Sequence, residues 1–197
     1  FFRAMIRCQA GLSYEEAQHA RDGQTNDRTA PLKAHIIDPL YEAYDALKRG
    51  QDKRSPLYLD MPERQIQLNK KGNVSGVTVK ERFDAHKLIE AMMVAANVCA
   101  AESLEKAKRP LIYRVHDMPN PERVDALAEY LEAMDYSLPK GQVLKPEAFN
   151  RILQKASERE EVDLVALAIL RTQSQAVYET NNLGHFGLNL SRYAHFT

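Results

Sequence analysis

Glu90 and Asn97 are the only polar residues in the run Leu88–Ala101. Seven positions apart on a helix, they fall on one stripe, roughly 10 Å apart along the axis. A carboxylate in such greasy surroundings must be paired, hydrogen-bonded or shifted in pKa. Two readings stay open: a structural glutamate bonded to a neighbouring loop, or a polar group facing a ligand. The residues alone favour the first, because perturbed carboxylates also occur in structural networks. Other chemistries find little support. There is no Gly-rich phosphate loop, no Gly-x-Ser-x-Gly and no Cys-x-x-Cys. Cys99 reads as inert packing on an apolar helix. The six histidines lack close metal-ligand spacing, and His185 and His195 read as hydrogen-bonded structural residues. No segment gathers the three or four aspartates that a two-metal phosphodiester site needs.

The element that must carry Glu90 is a helix over 84–108, free of Pro and Gly and rich in Ala, Leu, Met, Glu and Lys. Asp84 suits its cap, and Lys106, Lys108 and Arg109 suit its negative end. Its nearly all-round apolar character predicts burial on most sides. Fourteen residues with a carboxylate inside are too short and too polar to span a membrane.

Before it, residues 1–10 read as a strand. Ser13 and Glu16 form a capping box for a helix to about Ala20. Pro31 opens a helix to Gly50 with Leu32, Ile36, Leu40, Tyr44 and Leu47 on one face, kinked or split at Pro39. After a charged linker over 51–56, strands are expected at 57–60, 64–68 and 74–80, the last two joined by a turn over Lys70–Asn73. Beyond the central helix come a strand over 110–116 and a helix capped by Asn120, with Val124, Leu127, Ala128 and Leu131 inward. Helices over 146–155 and 162–177, a turn at 181–187 and an extended end complete an α+β order, helix-rich in its second half.

The 197 residues, 44% apolar and 27% charged, describe an ordinary globular chain with a small antiparallel sheet. Lys plus Arg and Asp plus Glu balance at 27 each, so net charge neither marks nor excludes nucleic acid. Cys8 and Cys99 stand far apart, which suggests reduced thiols in the cytoplasm. Neither end carries the usual polar lead, and an internal fragment is expected.

Four blocks say more when taken together. They are Asp84-Ala-His-Lys-Leu-Ile-Glu-Ala-Met-Met-Val-Ala-Ala-Asn-Val, Leu111-Ile-Tyr-Arg-Val-His-Asp-Met-Pro, Leu170-Arg-Thr-Gln-Ser-Gln-Ala-Val-Tyr and Asn182-Leu-Gly-His-Phe-Gly-Leu-Asn-Leu-Ser-Arg-Tyr-Ala-His-Phe-Thr. In order and spacing they resemble the catalytic RNB domain of the exoribonuclease family that includes ribonuclease R and ribonuclease II, with the ribonuclease R branch the nearer. The resemblance covers residues 1–197 and implies a partial RNB catalytic domain, truncated at both ends. It implies processive, hydrolytic 3′→5′ degradation of single-stranded RNA to nucleoside 5′-monophosphates. Mg²⁺ is the implied cofactor, held by an aspartate cluster expected before Phe1. An arginine-bearing Ser-Pro-Ile-Arg-Arg-Tyr segment is expected one residue after Thr197. The fragment is therefore expected to hold no catalytic or metal residue and to be inactive alone.

Tyr14, in Leu12-Ser-Tyr-Glu15, matches the family tyrosine that acts near the RNA 3′ end, and Glu90 matches the first glutamate of the family's Glu-Glu pair. Both are implied to help select RNA over DNA, and the resemblance reverses the weighting for Glu90. The second glutamate is Ala91 here, and the family's base-stacking phenylalanine falls near Leu59, beside Tyr58. The rival reading is a non-catalytic RNA-binding or protein-interaction module that keeps the scaffold.

Overall fold

The computed structural model describes residues 2–59, 61–141 and 144–195. It is α+β, and its chain divides into two compact units, Phe1–Arg49 with Glu81–Met93 and Gly50–Lys80 with Val94–Thr197. Phe1, Asp60, Phe196 and Thr197, which belong to expected strands or to the last sequence block, lie outside the described residues.

In the first unit, residues 2–12 form no regular element, and Phe2, Met5 and Ile6 are exposed. The expected strand is absent there because no described residue offers it a ladder partner. Helix α1 (Tyr14–Arg21) starts on the expected capping box: the Glu16 amide donates to Ser13 Oγ at 3.1 Å, and the Ser13 amide donates to Glu16 Oε2 at 2.9 Å. That second bond, ahead of the Arg28 charge, holds the Glu16 carboxyl below its ordinary range.

The helix expected from Pro31 is built differently. A 3₁₀ turn over Ala30–Leu32 leads into a π-turn over Lys33–Ile37, and α2 runs over Asp38–Arg54. Pro39 has no N–H and crowds the preceding turn, so the irregularity falls before it and Pro39 itself sits in the first turn of α2. The π-turn consumes one extra residue, so the face that follows Leu32 is Ile37, Tyr41 and Tyr44. Ile36 and Leu40, expected inward, are exposed. Gly50 does not end α2, which continues to Arg54. The core of this unit joins Ala20, Ile37, Tyr41, Tyr44, Ala85 and Leu88.

In the second unit, β1 (Arg64–Leu68) and β2 (Val74–Val79) form an antiparallel hairpin. At its tip the Asn69 side chain accepts from the amides of Lys71 and Asn73, and Gly72 takes φ +78°, a conformation that suits glycine. Leu57–Leu59, expected as a strand, joins no ladder among the described residues; the Leu57 amide donates to the Gly187 carbonyl instead. Helix α3 (Asp84–Lys106) is the long central helix; its residues from Val94 onward belong to this unit.

Strand β3 (Tyr113–Val115) pairs antiparallel with β4 (Val177–Glu179). Helices α4 (Pro121–Glu132), α5 (Pro146–Ala156) and α6 (Val162–Thr172) enclose the larger core, which includes Leu131, Phe149, Val165 and Ile169. Asn120 caps α4, and Val124, Leu127, Ala128 and Leu131 are its buried face, as the spacing predicts. Helix α6 stops at Thr172 rather than 177, because Gln173 turns extended and Val177 and Tyr178 enter the ladder with β3.

Candidate functional site

The capping box fixes the backbone of Tyr14, the first residue of α1. Its ring lies face to face with the His86 imidazole, centroids 4.0 Å apart and planes 20° apart. His86 in turn is held by the start of α3: its Nδ1 accepts from the Phe83 amide at 3.2 Å. Phe83 thus acts as the cap that Asp84 was expected to be, and His86 reaches back as the third residue of the helix, in the manner of a capping-box glutamate. In the neutral ring this bond leaves the proton on Nε2. Gln18 Oε1 accepts from the Ala85 amide at 3.2 Å and from the Tyr41 hydroxyl at 3.4 Å, tying α1 to α2 and α3.

Glu90 stands one turn beyond His86, on the same face of α3. Its environment is not the buried one expected. The side chain is 50% exposed and pairs with Arg82 at 2.5 Å. In this unit α3 turns Ala85, Leu88, Ala91 and Met92 toward the core and leaves Ile89, Glu90 and Met93 open. Asn97, expected on the same stripe, is buried and donates to the Tyr193 hydroxyl at 3.1 Å. Cys99 is an exposed free thiol, not core packing. Apolar residues on all sides of a helix thus record composition and not cover.

Tyr14, itself 45% exposed, therefore presents a phenol whose ring is stacked on His86, and His86 stands at four-residue spacing between Arg82 and Glu90. A phenol donates and accepts, a carboxylate accepts, and a guanidinium binds anions. Sequence reasoning passed over His86 and Arg82, although the spacing of four from Glu90 was a readable signal. Ala91 packs against the core.

In the second unit, Leu59 packs against the α4–α6 core, while Tyr58 is exposed, its hydroxyl 3.1 Å from Asp52 Oδ1. The same unit holds a groove of about 380 Å³ lined in part by His116, Asp117, His185, Asn189 and Ser191. The two histidine rings meet edge to face at 5.0 Å. His116 Nδ1 accepts from the Gly187 amide at 2.9 Å and His185 Nδ1 from the Leu188 amide at 3.1 Å. Burial lowers both pKa values, and burial followed by the neighbouring His116 pushes His185 down to about 4. Both Nδ1 atoms are thus committed to the loop's own amides, while His116 Nε2 is buried without a hydrogen-bond partner. Among the described residues no three His, Cys, Asp or Glu side chains are grouped to hold a metal ion.

The family model of the RNB domain matches residues 1–197. The chain belongs to the RNB domain family. Ribonuclease R of Escherichia coli is 32% identical over 199 residues, covering 100% of this chain and 24% of that protein. Ribonuclease R of Aquifex aeolicus is 33% identical over 197 residues, covering 100% of this chain and 28% of its own length. This RNB chain thus spans about a quarter of the relatives it matches. The apo form of Mycoplasma genitalium RNase R superposes with TM-score 0.84 at 22% identity, over 94% of this chain and 29% of that one, a likeness of fold. Yeast Ssd1, described as a pseudonuclease, gives TM-score 0.64 at 16% identity over 94% of this chain and 23% of that one. Among the described residues no RNB helix is long and apolar enough to cross a membrane.

Proposed function

We propose that the chain is part of a processive, hydrolytic 3′→5′ exoribonuclease that degrades single-stranded RNA to nucleoside 5′-monophosphates in the cytoplasm. In this reading Tyr14 and Glu90 recognise the ribose near the 3′ end. The observation that carries it is similarity to the ribonuclease R proteins over the full chain. The solved structures of the Mycoplasma genitalium enzyme with ribose methylated single-stranded RNA and with double-stranded RNA support RNA as the substrate class. Mg²⁺ would be held by residues outside 1–197.

The chemistry of sugar selection follows from the side chains. A ribose 2′-hydroxyl can donate to the Glu90 carboxylate and exchange a hydrogen bond with the Tyr14 phenol. DNA lacks that hydroxyl, so it would leave both polar groups without their partner, a strong basis for rejection. The Arg82–Glu90 pair does not oppose this. Half-exposed ion pairs contribute little, so the carboxylate can exchange its partner at small cost. Of the two residues near the family's base-stacking position, Tyr58 is exposed and Leu59 is packed, which supports Tyr58 as the one that would stack on a base. In the full-length protein, Tyr14→Ala and Glu90→Ala should each lower the preference for RNA over DNA more than they lower stability. Equal sugar discrimination in wild type and both variants would overturn the assignment.

A further inference from the structure

We infer that His86 is a positioning residue for sugar selection, acting through Tyr14; this rests on the reading of Tyr14 given above. Tyr14 is the first residue of its helix and half in water, so nothing in α1 itself fixes its ring. The fixed surface comes from α3. The parallel approach of 4.0 Å and 20° is a full ring stack, and the imidazole under it is immobilised by the Phe83 amide. A second ring continues the array, Phe83 against His86 at 5.7 Å and 21°. His86 lies one turn before Glu90 on the same face of α3, so the ring that holds Tyr14 and the carboxylate are carried by one helix. A phenol locked against a platform can meet a sugar hydroxyl without first losing rotamer freedom, which is where such selectivity is otherwise dissipated.

The two duties of His86 can be separated. Glutamine reaches back to a helix cap as histidine does here but has no ring. Phenylalanine stacks but cannot accept the Phe83 amide. The test uses full-length protein with a single-stranded oligoribonucleotide and the same oligomer carrying 2′-deoxyriboses at its 3′-terminal positions. The ratio of kcat/KM values is the readout. His86→Gln should lower that ratio about threefold to tenfold, the scale of one ring stack. His86→Phe should keep most of it, and His86→Gln combined with Tyr14→Ala should be no worse than Tyr14→Ala alone. A His86→Gln ratio equal to wild type, beside a lowered Tyr14→Ala ratio, overturns the role of His86 and spares that of Tyr14. Equal losses in the glutamine and phenylalanine variants overturn the stacking argument. A Tyr14→Ala ratio equal to wild type removes both assignments.

Discussion

Arg82 and Glu90 form a short contact that nonetheless binds the protein weakly to itself. Both side chains are about half exposed, at 45% and 50%, where solvent screens the attraction and side-chain entropy opposes it. Glu90→Gln should therefore change unfolding free energy by less than about 1 kcal/mol, measured by urea titration. A larger loss would make the pair a structural clasp and weaken the case for Glu90 as a ligand group. At this scale the sequence was an uneven guide. Glu90 stood out because its neighbours are apolar, yet alanines and methionines count as apolar whether or not anything covers them. Tyr14 was visible only through family resemblance, since a tyrosine at a helix start has an ordinary packing role. Its stack on His86 depends on two segments about 70 residues apart meeting in space, which no local pattern encodes.

The elements that were legible are those whose signals are local. The Ser13 box, the Asn120 cap, the buried face of α4 and the turn at Gly72 each depend on residues a few positions apart. Ser13→Ala should cost about 1 kcal/mol in thermal or chemical unfolding, the usual loss on removing a side-chain cap. The π-turn before Pro39 and the change from α6 to β4 were not legible, because each is decided by which distant partner is available. The loop around His185 carries a pH dependence of defined sign. Its imidazole is neutral in the fold, lowered from 6.5 to about 4, so its contribution is complete above pH 6.5 and is lost as pH falls toward 4. Protonation on Nδ1 would also end its acceptance of the Leu188 amide. Thermal midpoints should fall across that window, and His185→Gln should flatten the fall.

For the molecule as a whole, α+β class and family were both readable, while surface cover was not. The hairpin has one polar face, with Gln65, Gln67 and Thr78, and one apolar face of Ile66, Leu68, Val74, Val77 and Val79, each 59–64% exposed. Residues 1–197 expressed alone should accordingly bind a hydrophobic dye through this face, and Ile66→Lys with Val77→Thr should reduce the signal. The same segment should show no chelator-sensitive digestion of RNA; robust digestion would refute the expectation that its metal ligands lie elsewhere. Aspartates clustered upstream in the full reading frame would favour the enzyme over a non-catalytic module. One small vacancy reaches further. A β-carbon on Gly187 would stand 2.8 Å from His116 Nδ1, across 71 positions of sequence. Any lineage that enlarges residue 187 must shrink or move the ring at 116 in the same step, so the two sites should drift through evolution as one character.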